Sequence, residues 1–196
     1  MLPTLVRSWK KIAFLGPFVG IALLSGATSS CAEEYDPGKK TTVVAPDFAT
    51  YDKYVDGFLN ARCGTLDCHG QPGRPFRSYG YRGLRIFKAD GGLVPGQGTS
   101  TSTPEERLSN YYSIIALEPE EMSRVIARNG ERPETLLFVR KPLLLERHKG
   151  GPALSIEDNG YKCITAWLRA EPGKPFGEDP LTSGGPKVCA LAAALR

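Results

Sequence analysis

The chain has 196 residues, 41% of them hydrophobic, with 22 glycines and 16 prolines. That is room for one ordinary domain plus a leader, and the composition favours a compact, loop-rich body over a plain helical bundle. The formal charge of +4 gives no argument for nucleic-acid binding: Arg7, Lys10 and Lys11 lie in the first thirty residues, which hold no acid, and without them the charge falls to +1.

Those thirty residues read as a secretory signal. A basic start is followed by the apolar run from Ile12 to Leu24 and then by small residues. The run is short for a membrane span, and it contains Gly16 and Pro17. Thr28-Ser29-Ser30-Cys31 resembles a bacterial lipobox, which implies lipidation of Cys31 and a membrane tether. Thr28 departs from the usual Leu, Val or Ile, and ordinary cleavage after Ala32 is the rival. Both place the protein in the cell envelope, in the periplasm or at the outer membrane. Residues 31–46 read as a polar tether, and the domain as 47–196.

Pro46-Asp47 opens a helix, with Asp47 as cap and Phe48, Tyr51, Val55, Phe58 and Leu59 at helical spacing. It runs into Cys63. Residues 70–102 read as a Gly/Pro/Arg-rich loop whose one strand candidate is Leu84 to Phe87. Thr103-Pro104-Glu105-Glu106 is a capping box opening a second helix. A helical turn or two follows from Pro119 to Arg128. Pro133 to Leu145 reads as a short helix, broken at Pro142 and continued by an extended stretch. Ser155 to Asp158 is a further capping signature, ahead of a helix bearing Tyr161, Ile164, Trp167 and Leu168. Val188 to Leu195 closes the chain as a small helix.

Setting Cys31 aside leaves four cysteines: Cys63, Cys68, Cys163 and Cys189. An even number in an oxidising compartment implies that each finds a partner. Cys163 with Cys189 is most simply a disulfide, contributing roughly 3 kcal/mol by loop closure.

The other pair lies in Arg62-Cys63-Gly64-Thr65-Leu66-Asp67-Cys68-His69-Gly70. Two thiols can add to the vinyl groups of haem, and a histidine directly after the second reaches the iron. The order here is right, although the spacer is four residues rather than two. A Cys63–Cys68 disulfide is the competing reading, with His69 an ordinary surface residue. Zinc fits less well, because Cys68 and His69 are adjacent and poorly placed for one tetrahedral ion. No phosphate-binding glycine loop, Gly-x-Ser-x-Gly elbow or His-Glu-x-x-His is present.

The helix into Cys63, the Cys63/Cys68/His69 cluster with Gly70, the Arg-rich loop and the helix ending Ala166-Trp167-Leu168 together resemble c-type cytochrome domains of exported bacterial proteins. The resemblance spans roughly residues 47–170. It implies a mainly α, single cytochrome-c-like helical domain with long Gly/Pro-rich loops. It also implies one covalent haem c on Cys63 and Cys68, with His69 as proximal ligand. His148, in a glycine-flanked loop, is the distal candidate, and Met122 the runner-up. Arg74, Arg77, Arg82 and Arg85 are candidates for haem propionates. Phe76, Tyr79 and Tyr81 would line the haem edge or belong to the core. The implied role is electron transfer with redox partners of the envelope, without an enzymatic reaction of its own. The alternative is a haem-free exported lipoprotein with two disulfides, serving as a structural or interaction module.

Overall fold

The computed structural model describes residues 42–87, 90–92 and 101–194. The leader, the proposed lipidation at Cys31 and most of the tether lie outside the described residues. The described part falls in one compact unit, and it is helical, with no strand among the described residues. None of its helices is long and apolar enough to cross a membrane.

The first helix is continuous but changes its winding. It begins as α1 (Phe48–Thr50), widens to a π-turn (Tyr51–Val55) and continues as α2 (Asp56–Cys63). Asp47 caps it, accepting from the Thr50 amide at 2.6 Å. Tyr51, Val55, Phe58 and Leu59 are buried. The Tyr51 ring centre lies 5.2 Å from that of Trp167 and 5.5 Å from that of Tyr111. Two polar tips fix the entry of the chain: Trp167 Nε1 donates to Asp47 O at 2.9 Å and Tyr111 Oη to Pro46 O at 2.6 Å. The tether joins the body earlier than its composition suggests, since Val44 N donates to Ser123 Oγ at 2.9 Å.

α3 (Pro104–Ile115) starts with the expected capping box. Thr103 and Glu106 exchange hydrogen bonds, and Glu106 also accepts from Arg85 Nε at 2.7 Å and Ile86 N at 3.1 Å. Glu106 is fully buried, so one carboxylate both caps a helix and anchors the preceding loop. This explains why Leu84 to Phe87 is not a strand. Leu84 N is spent on Gly70 O and Ile86 N on Glu106, so neither donor is left for a ladder.

α4 (Pro119–Ala127) fills the stretch expected to make a helical turn or two. A 3-10 turn (Pro133–Thr135) leads into α5 (Leu137–Arg140). The stretch after α5 is not extended. Leu144 N bonds Lys141 O and Leu145 N bonds Arg140 O, the pattern of a Schellman turn, with Leu144 in the left-handed region at φ 59°. The turn reverses the chain towards His148. Ion pairs hold it: Arg140 meets Glu118 at 2.9 Å and Glu146 at 2.8 Å, and Lys141 meets Glu146 at 3.2 Å.

α6 (Asn159–Leu168) is capped by Asp158, which accepts from Tyr161 N at 2.8 Å; Ser155 instead donates its amide to Asp158 at 3.0 Å. α7 (Gly185–Ala194) is tied to α6 by the Cys163–Cys189 disulfide, whose cysteines are 26 residues apart.

Two stability outcomes follow. Replacing Cys163 and Cys189 by Ser should cost about 3 kcal/mol in urea unfolding, with α7 the first element to lose hydrogen-exchange protection. Glu106→Ala should cost about 3 kcal/mol or more, because it leaves the Arg85 guanidinium, 13% exposed, without its carboxylate. Glu106→Gln should cost less, since it keeps acceptor capacity for the amides.

Candidate haem-binding site

The site begins where α2 ends. Gly64 N closes the last turn on Asn60 O at 3.0 Å, and Arg82 reaches over to donate to Ala61 O at 2.9 Å. The following residues fold back tightly. Cys68 N and Gly70 N both donate to Thr65 O, and His69 N donates to Cys63 O at 2.9 Å. The four-residue spacer is therefore a closed loop that brings His69 back to the carbonyl of Cys63. Gly70 and Gly83 permit this. A Cβ on Gly70 would stand 2.1 Å from Gly64 O, and one on Gly83 2.4 Å from the same oxygen.

Cys63 and Cys68 are both free. The Cys63–Cys68 disulfide of the competing reading is not formed, and Cys163–Cys189 is the disulfide among the described residues. Burial pushes the Cys63 thiol up to about 12, with Cys68 adding to the rise and Arg62 opposing it. At neutral pH this favours the protonated thiol of Cys63 over the thiolate that disulfide exchange requires.

His69 lies half-buried against Phe76, with ring centres 4.7 Å apart, and Phe76 in turn meets Phe138 at 5.9 Å. Its Nδ1 is 3.0 Å from Phe76 O. Burial lowers its pKa, against the Phe76 hydrogen bond, and the nearby charges of His148 and Arg74 lower it further. A neutral ring with Nδ1–H on a carbonyl presents the lone pair of Nε2.

The structure brings His148 to this ring. The two imidazole centres are 6.1 Å apart and their planes differ by 8°. His148 has the same arrangement, with Nδ1 2.7 Å from Gly151 O. An imidazole nitrogen binds a first-row metal at about 2.0 Å, and the ring centre lies about 1.1 Å behind it, so two imidazoles on opposite sides of one metal have centres roughly 6.2 Å apart. Offset ring pairs also occupy this distance range. The hydrogen bonds add a distinction: in both rings Nδ1 is engaged by a main-chain carbonyl, the partner that orients metal-bound histidines, and Nε2 makes no hydrogen bond among the described residues. Among the described residues no group of three or more His, Cys, Asp or Glu is arranged to hold a bare metal ion. A porphyrin brings four nitrogens of its own, and two axial ligands complete it.

The remaining candidates sort themselves. Met122 is a buried core residue of α4. Arg85 is committed to Glu106 and Arg82 to Ala61 O. Arg74 and Arg77 make no ion pair among the described residues. Phe76 is buried beside His69, Tyr79 lends its main chain to Asn60 and Asn110, and Tyr81 is exposed. The surface clefts beside Glu118 and Arg124, and beside Tyr161 and Val188, contain neither histidine.

Some site features were not legible in the sequence. The carbonyls of Phe76 and Gly151 carry no side-chain signal. Arg62, which ties the end of α2 to Asp158 at 3.0 Å and to Ala153 O at 3.3 Å, carries no motif signal either. Its place directly before Cys63 was the only hint.

No protein-family model, curated protein or solved structure matches this chain.

In protein produced without haem, His69 should titrate below the usual 6.5, followed by imidazole proton NMR. Since the folded pKa is lowered, the stability tied to neutral His69 is fully present above the unfolded value and is lost as pH falls from there through the folded value. His148→Ala should move the midpoint upward by removing one neighbouring charge.

Proposed function

We propose that the protein is an electron-transfer protein of the cell envelope carrying one covalent c-type haem in a cytochrome-c-like domain. The observation that carries the reading is the pair of near-parallel imidazoles from residues 69 and 148, both with Nδ1 on a main-chain carbonyl. Cys63 and Cys68, free and held in a closed loop ahead of His69, have the order that thioether attachment requires.

Haem bound there would take up and release one electron at its iron. The chain's own residues do the rest. Cys63 and Cys68 would anchor the group, and Nε2 of His69 and of His148 would ligate its metal. Phe76 packs against the proximal ring, and Phe138 backs it. Arg74, near His69 and without an ion pair among the described residues, is available to a propionate as a charge-assisted donor. Two histidine ligands imply a lower potential than a histidine–methionine pair. The signal and Cys31 lipidation would place this domain on a membrane surface facing envelope redox partners. No substrate is transformed.

The test is a haemochrome spectrum of denatured protein from a host with c-type maturation machinery. Haem should stay with the chain, and should be lost from the Cys63→Ala/Cys68→Ala variant. His148→Ala should turn the iron high-spin. A colourless, well-exported chain would instead favour the haem-free module.

A further inference from the structure

Resting on the haem reading, we propose that Gly150 sets the plane of the His148 imidazole, and that the main-chain carbonyls of Phe76 and Gly151 hold the two axial rings parallel. An N–H on a carbonyl restrains rotation of the ring that carries it, because the bond weakens steeply away from its preferred angle. Both rings have such a bond, at 3.0 Å for His69 and 2.7 Å for His148, and the planes so held differ by 8°. Both hydrogen bonds come from main-chain carbonyls, so the two loop backbones carry the orientation, with the Phe76 ring packed beside His69.

The His148 loop is shaped for this. Gly151 sits at φ 73°, in the region that favours glycine, and Gly151 N returns to His148 O at 3.2 Å. Gly150 has no such backbone need, since it is absent from the left-handed positions. Its requirement is steric. A Cβ at 150 would stand 3.2 Å from Cε1 of His148, 3.7 Å from Nδ1 and 3.8 Å from Nε2. Three ring atoms within that range mean that the methyl would bear on the imidazole itself. Gly150→Ala is thus compatible with the backbone, and its effect falls on the ring.

Ring orientation has an electronic consequence. Each axial imidazole interacts with the iron d orbital perpendicular to its plane. Parallel planes act on the same orbital and separate it from its partner, whereas crossed planes act on both and leave them nearly equal. Ferric iron between parallel rings gives a rhombic low-spin resonance with three resolved g values. Crossed rings give one strongly anisotropic low-field feature.

The experiment is low-temperature electron paramagnetic resonance of the full, haem-loaded ferric protein, wild type and Gly150→Ala, at matched haem content. The wild type should be rhombic. Gly150→Ala should move towards the anisotropic form, or show a high-spin fraction where the ring is displaced from the iron. A wild type with only the anisotropic feature, or a Gly150→Ala spectrum identical to a rhombic wild type, would overturn the inference and leave the haem reading standing. A chain that acquires no haem would overturn both.

Discussion

Everything at the site depends on how closely three stretches of backbone approach one another. Gly70 and Gly83 both crowd the carbonyl of Gly64, at distances that no Cβ could tolerate. That contact lets the chain after α2 fold onto itself, so that His69 N reaches Cys63 O and Leu84 N reaches Gly70 O. The loop bearing Cys68 and His69 is consequently part of the packed body rather than a mobile excursion. Its ring orientation can then be set by a carbonyl seven residues further on.

Around this contact the structure spends buried polar groups where loops need anchors. Asp56 accepts from Tyr51 Oη at 3.2 Å and from Asn110 Nδ2 at 2.8 Å. Asn110 also accepts from Tyr79 N and donates to Tyr79 O, and Asn60 donates to the same Tyr79 carbonyl. Burial raises the pKa of Asp56, and the hydrogen bonds from Asn110, Ser102 and Tyr51 oppose that rise. Glu106 performs the equivalent service for residues 85–86. Networks of this kind cost desolvation, and they specify one arrangement only when satisfied. Among the described residues Asn60 Oδ1 is a buried acceptor without a partner. The described residues between His69 and α3 include no helix or strand, and these side chains hold them to the body.

The helices were legible because their signals are local. Asp47, and Thr103 with Glu106, announced their caps, and apolar spacing announced the buried faces. Where the structure departs from those signals, groups outside the local pattern or an unexpected turn decide the outcome. The alternation at Leu84 to Phe87 resembles a strand, yet a carboxylate twenty residues away claims the Ile86 amide. Ser155 and Asp158 are both good caps, and the position of α6 against the core gives the role to Asp158. Pro142 suggested a break into extended chain, but the turn is made two residues later by Leu144, in a conformation that a leucine seldom adopts.

For the candidate site the division is sharper. The sequence by itself determined the chemistry on offer: two cysteines and a histidine in attachment order, a second histidine between basic residues ahead of two glycines, and two more cysteines that pair. Those are facts of residue type and spacing, and covalent order limits which groups can act together. Only the tertiary structure decided that residues 69 and 148 stand 6.1 Å apart with parallel rings. It also decided that Arg85 meets Glu106 and Arg82 the Ala61 carbonyl, while Arg74 makes no ion pair among the described residues. Those outcomes depend on which backbones approach and which carboxylates lie in reach, and no local pattern encodes a contact between segments nearly eighty residues apart.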